Sequence, residues 1–293
     1  MTKIAFGMIV FEGDYVLRQC LEQVYPYATQ ILIAEGPVKY WQERGRDTSK
    51  DKTNEIIDNF PDPENKITIV HGQYSEKDEQ CNAYITHMRS DIDYLWNLDS
   101  DEIYKKEDIE KTIEFLERER PTSVGVRSLS FYGGFENYLT GFELNRDNFL
   151  RIFRVTEGSK WLTHRPPTIQ YPTEHNIVRK HVDSNSFYKH TGVQMYHYSY
   201  VFPLQVENKV EYYKAKVSRH KCIDDYYNKI YLPWMKGEDF DRFHLERKYE
   251  GVHEFKPEYR GPCYTEQFIG EHPESIRNDL QELNDRIMRE MKE

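Results

Sequence analysis

The sequence predicts an α/β protein: a Rossmann-like mixed sheet flanked by helices, followed by a helical C-terminal extension. Three observations lead there. Short, continuously apolar runs alternate with segments of helical spacing up to residue 104. Strand-like runs continue after Pro121, but their connections become irregular and rich in proline and aromatics. From Pro203 onward helical spacing dominates. Continuous apolar strands separated by helices indicate a parallel sheet covered on both faces, and such sheets bind ligands beyond the carboxyl ends of their strands.

The elements follow in order. "KIAFGMIV" reads as the first strand, and "YVLRQCLEQVYPY" follows with Val16, Leu17, Cys20, Leu21 and Val24 at helical spacing. "QILIAEG" is a second strand that ends on Glu35 and Gly36. "DKTNEIIDNF" is a short helix stopped by Pro61, "NKITIV" a third strand, and "SEKDEQCNAYITHMRS" an amphipathic helix. "DYLWNLDSDE" is the fourth strand, ending on Asp99, Asp101 and Glu102. "KEDIEKTIEFLERER" is a charged helix, after which "SVGVRSLSFYGGF", "NFLRIFRV" and "VQMYHYSYV" are strand-like. "PLQVENKVEYYKAKVSRH", "DDYYNKIYLPWM" and the terminal "PESIRNDLQELNDRIMREMKE" are helical. No repeat or Gly/Ser linker interrupts the 293 residues, so one compact unit with a C-terminal extension is the simplest organisation.

Composition narrows the classes of function. The net charge of −10 argues against a partner that is nucleic acid or an anionic membrane. An anionic ligand would have to be received locally, by a metal or a few placed cations. Aromatic residues make up 14% of the chain, with 23 Tyr, which suggests a partly wet aromatic groove. No apolar run reaches the ~18 residues of a membrane span, and the N-terminus lacks the features of a signal peptide. The four cysteines form no CxxC pair, which points away from zinc and toward reduced thiols in a cytoplasmic protein.

The acidic end of the fourth strand carries the chemistry. Asp99 and Asp101, two apart on an extended strand, would point the same way and could face one cation or a ribose. Oxygen ligands of this kind suit Mg²⁺ or Mn²⁺ completed by phosphate oxygens. A solvated acidic strand end would read the same way. Glu35 could accept from a nucleobase or ribose, and Gly36 would let the backbone approach a ligand, although a plain strand-to-turn glycine serves equally. Lys77, Asn82 and Arg89 lie on or near the preceding helix, where a solvated face is the ordinary expectation for Lys77 and Arg89.

In joint order these stretches resemble the family 2 glycosyltransferases of the GT-A fold. The carriers are "IAFGMIV", "QILIAEG", "TNEIIDNF", the segment ending in "DSDE", "RIFRV", "WLTHRPP" and "MYHYSY". The last elements look like those of lipopolysaccharide-core-type members, and the resemblance spans residues 3–215. It implies a catalytic domain over 1–202, with a nucleotide-binding half at 1–104 and an acceptor-side half at 105–202, and a helical extension over 203–293. It further implies transfer of a sugar from a nucleotide-diphosphate-sugar donor to a hydroxyl of a carbohydrate or glycoconjugate acceptor, with inversion. Asp101, Asp99 and His197 would hold Mn²⁺ or Mg²⁺, while Glu35, Gly36, Asp99 and Ser100 would line the nucleotide side. His197 would equally suit packing among Tyr196, Tyr198 and Tyr200.

One departure matters. Where the family places a glutamate base, this chain has His164-Arg165-Pro166, and a guanidinium cannot take a proton from an acceptor. Glu174 is the replacement candidate, with His164 or His175 as alternatives, and Arg165 could instead grip a phosphate or anionic acceptor. Two other classes compete: a phosphatase of haloacid-dehalogenase type using Asp99 as nucleophile, and a carbohydrate-binding protein without catalysis. Glu102-Ile103 after the acidic pair fits the phosphatase poorly, and a sugar nucleotidyltransferase would need a Gly-rich N-terminal loop that is absent.

Overall fold

The structure, a computed structural model, describes residues 2–141, 149–172, 179–216 and 219–292. The chain divides into two compact units: Met1–Arg127 with Asn148–Met195, and Ser128–Asp147 with Tyr196–Glu293. Where the sequence suggested a break after residue 202, residues 196–202 group with the C-terminal part, as does the segment 128–147.

The first unit opens as expected. Strand β1 (Ile4–Val10) is followed by α1 (Leu17–Val24), β2 (Gln30–Glu35), two short helices α2 (Lys39–Gln42) and α3 (Thr53–Asp58), then β3 (Ile67–His71). Helix α4 (Lys77–Ile85) and β4 (Tyr94–Leu98) complete the alternation. β1 pairs in parallel with both β2 and β4, and β2 with β3, giving the order β3-β2-β1-β4. β2 and β4 are buried along their whole length, which explains their continuous apolar runs. Burying each such Ile or Leu contributes roughly 1.5–3 kcal/mol. On β1, an added Cβ at Gly7 would lie 2.7 Å from the Tyr84 ring, so α4 packs directly on that strand.

The connection after β4 is β5 (Glu102–Ile103) and α5 (Lys106–Glu119). Glu107 and Asp108 in the first turn of α5 and Arg118 in its last match the helix dipole. β6 (Ser123–Tyr132) passes from the first unit into the second, where β7 (Asn137–Leu139) lies. β8 (Phe149–Arg154) then returns antiparallel to both β4 and the first half of β6, so the sheet is mixed. The unit closes with the antiparallel hairpin β9 (Lys160–Thr163) and β10 (Thr168–Gln170), then β11 (His181–Val182) and α6 (Ser184–Thr191). Asp183 caps α6 by accepting from Asn185 and Ser186. β12 (Gln194–Tyr200) crosses to the second unit after Met195.

The second unit is mainly helical: α7 (Pro203–Lys216), a π-helical turn at Tyr227–Tyr231, α8 (Leu232–Lys236), α9 (Asp239–Tyr249), α10 (Pro257–Arg260) and α11 (Glu274–Glu290). β13 (Thr265–Gln267) pairs antiparallel with β7, which pairs antiparallel with β6. The core gathers Tyr132, Tyr200, Tyr226, Tyr231 and Trp234 around Val206, Val210 and Ile230. Much of the tyrosine excess is therefore core rather than groove lining. The phenols are kept in the core by pairing: Tyr132 and Tyr226 share a 3.0 Å hydrogen bond, and Tyr231 donates to the Val201 carbonyl at 3.1 Å.

Gly36 shows how tightly the carboxyl edge of the first unit is closed. Its φ is +139°, and a Cβ there would lie 1.8 Å from the Gly72 carbonyl oxygen. Steric closure against the end of β3 requires this glycine, whatever ligand approaches it. Gly36→Ala is expected to cost about 2–4 kcal/mol in denaturant unfolding, combining backbone strain with the clash. Unchanged stability would show that the β2–β3 edge relaxes freely.

Candidate active site

Strand β4 stops at Leu98 because the chain turns: the Asp99 carbonyl accepts the Glu102 N–H at 3.1 Å, and Ser100 and Asp101 occupy the turn. This corrects one premise, since Asp99 and Asp101 are not successive same-face positions of a strand. Glu102 is fully buried, and its Oε2 accepts the Asp99 N–H at 3.1 Å. Its charge is met by Arg151, a buried residue of β8, whose Nε lies 2.8 and 3.0 Å from the two Glu102 oxygens. The same guanidinium donates from Nη2 to Asp99 Oδ2 at 2.9 Å and to Glu102 Oε1. Three ionised groups thus share one buried knot. On α1, Gln23 donates to the Glu102 carbonyl at 3.0 Å and accepts from the Tyr104 N–H.

The Asp99 side chain remains 30% exposed. Burial works against its charged form, but Arg151, with Lys77 and Arg165, outweighs burial and holds its carboxyl well below the usual carboxylate range. His164 sits in the same field. It is buried, and burial followed by the repulsion of Lys77 and Arg165 lowers its imidazole to about 3, so it is neutral at ordinary pH. The β9 end that carries it is pinned to α4 on two sides. Asn82 exchanges hydrogen bonds with the Trp161 backbone at 2.9 and 3.0 Å, and Asp78 accepts the His164 N–H. The His164 Nδ1 lies 3.6 Å from the Cys81 Sγ, and burial pushes that thiol up, keeping it protonated. Arg165, next along the chain, is exposed.

The ends of β1, β2 and β3 form the neighbouring stretch of the edge. Glu35 is buried, with Oε1 receiving the Ser49 hydroxyl at 2.6 Å and Oε2 lying 3.0 Å from His71 Nδ1. Ser49 also accepts the Glu12 N–H at 2.9 Å, which ties the turn after β1 to the same carboxylate. Gln80 of α4 reaches the carbonyls of Ala34 at 2.9 Å and Gly36 at 3.2 Å, satisfying acceptors at the β2 terminus. Ser100 approaches this turn, because an added Cβ at Gly13 would lie 2.8 Å from its Oγ. Arg46 pairs with Glu12 while lying 4.0 Å over the Trp41 ring.

Of the expected site residues, Asp99, Ser100, Asp101, His164 and Arg165 gather around the end of β4, and Glu35 and Gly36 lie at the end of β2. His197 is on β12, in the second unit. Glu174 and His175 lie outside the described residues. Among the described residues no three or more His, Cys, Asp or Glu side chains are grouped for a metal ion. Sequence reasoning underrated Lys77, which lies close enough to Asp99 and His164 to act on both. It treated Arg151 as part of a motif only. An arginine inside an otherwise apolar "FLRIF" was the available signal for a buried counter-charge. Ser49, His71 and Gln80 gave no comparable signal.

Residues 46–173 match the model of glycosyl transferase family 2. The matched segment covers less than half of the 293 residues. The segment holds Ser49, α4, the Asp99–Asp101 turn, Arg151, His164 and Arg165; Glu35, Gly36, Glu174 and His197 lie outside it. No curated protein matches the chain. Among solved structures the chain is similar to S. aureus TarS 1–349, with 11% identity over 52% of this chain and 47% of that one, at a TM-score of 0.36. TarS 1–349 in complex with UDP-GlcNAc gives 12% identity, 52% and 45% coverage, and a TM-score of 0.37. The similarity therefore spans less than half of the length of those structures.

The Glu35–His71 contact carries a pH signature. The hydrogen bond to Glu35 raises His71 above its ordinary 6.5, against the opposing effect of burial, and Asp58 adds to the rise. The folded chain therefore holds this proton more tightly than the unfolded one. Its contribution is complete below 6.5 and is lost as the pH rises through the folded-state pKa. In thermal melts from acid to alkaline pH, His71→Asn should remove this part of the pH dependence. Identical slopes for variant and native protein would contradict the contact.

Proposed function

We propose that this chain is a glycosyltransferase that moves a sugar from a nucleotide-diphosphate-sugar donor to a hydroxyl of a glycan, glycolipid or protein-linked acceptor, with inversion. The observation that carries this reading is the edge inside the family 2 segment, where Asp99, Ser100 and Asp101 meet Lys77, His164 and Arg165. A phosphatase reading of Asp99 finds no support in the family match, and a binding module leaves the ionic knot at Asp99 without a purpose.

The family implies a divalent metal, Mn²⁺ or Mg²⁺. The residues fit an ion that takes one or two carboxylates and completes its shell with water and phosphate oxygens, and do not fit an all-protein cage. Asp101, half exposed in the turn, would be the principal ligand, with the Asp99 oxygen not used by Arg151 beside it. When bound, such an ion would neutralise charge on the departing diphosphate.

The chain's own residues supply the rest. Arg151 keeps Asp99 ionised and fixed in place. Lys77 and Arg165 add positive charge where a diphosphate would lie. His164 is neutral and buried, which suits a hydrogen-bonding role better than proton capture, and Glu174 is the residue assigned to take the acceptor's proton. Glu35, held by Ser49 and His71, would shape the nucleoside side. A cytoplasmic reaction is part of this reading. Among the described residues no helix is long and apolar enough to cross a membrane.

Transfer or donor hydrolysis, measured with a panel of nucleotide sugars, should depend on Mn²⁺ or Mg²⁺ and be lost in EDTA. Asp101→Asn should lower the metal-dependent rate by about 10²-fold or more while leaving the melting temperature unchanged. Glu174→Gln should lower kcat by roughly 10²–10⁴-fold with donor affinity retained. Full activity of Asp101→Asn, or of native protein in EDTA, would overturn the metal assignment. A Glu174→Gln enzyme at native rate would remove Glu174 as base.

A further inference from the structure

The first unit has a second candidate site, at the opposite edge of its sheet. A cavity of about 480 Å³ opens where β1 and β4 begin, lined by Thr2, Asp93, Tyr94, Glu117, Arg120 and Arg154. Its volume falls in the range of small-molecule sites. The donor edge lies at the carboxyl ends of the same strands, so one ligand cannot occupy both.

The lining is held by the fold. Arg154 stands directly across from Tyr94 in the antiparallel β4–β8 pairing, and its N–H is accepted by the Thr122 carbonyl at 2.9 Å. Arg120 closes α5 in the left-handed conformation, at φ +47°, with its N–H on the Leu116 carbonyl at 3.0 Å. The Tyr94 hydroxyl is tied to the Pro121 carbonyl at 3.0 Å, and the Tyr171 hydroxyl to the Arg154 carbonyl at 2.9 Å. Both carboxylates have one oxygen committed to the backbone: Glu117 accepts from Thr2 and Asp93 from Lys3, each at 2.8 Å.

The cations differ. The side chains of Arg120, Arg154 and the neighbouring Arg179 make no hydrogen bond or ion pair with any described residue. Their proximity shows in the phenols. Burial pushes the Tyr94 hydroxyl up to about 12, and Arg154 and Arg120 oppose it. Burial likewise raises Tyr171, opposed by Arg154 and Arg179. Gathering guanidinium groups without direct carboxylate contacts is unfavourable unless an anion joins them.

We propose that this cavity binds a small phosphorylated polyol of the sugar-phosphate class. Arg120 and Arg154 receive the phosphate, because the planar fork matches its oxygens. The remaining oxygens of Asp93 and Glu117 accept from the polyol hydroxyls. The two carboxylates also bias the cavity against a ligand that is anionic along its whole length. The assignment is independent of the donor reading, since it uses none of the same residues.

The test is calorimetric titration of the full chain with glucose 6-phosphate, glucose and inorganic phosphate, in salt high enough to screen non-specific attraction. Glucose 6-phosphate should bind saturably, inorganic phosphate more weakly, and glucose without measurable affinity. Arg120→Ala and Arg154→Ala should each weaken glucose 6-phosphate by about tenfold or more, with the thermal response to nucleotide sugars unchanged. No saturable binding of glucose 6-phosphate, or native affinity in both variants, would overturn the site. Inorganic phosphate binding as tightly as glucose 6-phosphate would overturn the assignment of the polyol.

Discussion

One guanidinium holds the candidate active site together. Arg151 comes from β8, the antiparallel strand beside β4, and meets both Glu102 and Asp99 across the acidic turn. Ion pairs this deeply buried seldom add net stability, because desolvating the charges offsets their attraction. What they supply is a defined arrangement: without Arg151 the buried Glu102 is left unpaired, and without Glu102 the buried guanidinium keeps only the partly exposed Asp99. The turn after β4 therefore has one low-energy conformation, and Asp99 emerges from it ionised and oriented.

The division of labour among the acidic residues follows from that constraint. Glu102 is structural, its charge consumed by Arg151 and the Asp99 backbone. Asp99 is shared between the knot and the open side. Asp101 occupies the turn between them. The cations Lys77 and Arg165 lie near enough to act on the Asp99 carboxyl, so the acidic charge at this edge is partly offset. His164 is buried, and burial followed by Lys77 and Arg165 keeps it neutral.

The parallel half of the fold was legible because its information is local. β2 and β4 are buried on both faces, so their apolar runs announce them, and the helices between them show their own spacing. The short pieces were not legible. β7, β9, β10 and β13 each span only a few residues, and β7 and β13 are defined by a partner more than a hundred positions away. The site divides the same way. The acidic cluster could be located from its place after an apolar strand, but its chemistry depends on Arg151, 49 residues from Glu102, and on Lys77 and His164 arriving from α4 and β9. Glu35 was expected to face a ligand; its two oxygens prove to be engaged by Ser49 and His71, a side-chain arrangement that no spacing rule reports.

The central claim is that Arg151 and Glu102 act as a unit that sets the position of Asp99. A double-mutant cycle measures this most directly, with Arg151→Met, Glu102→Leu and the pair compared by denaturant unfolding. Arg151→Met leaves the buried Glu102 unpaired and should lose about 3–5 kcal/mol, Glu102→Leu leaves Arg151 with Asp99 alone and should lose less, and the double variant should recover much of the loss, giving a coupling energy of about 2 kcal/mol or more. Losses that simply add, with coupling below about 0.5 kcal/mol, would contradict the account.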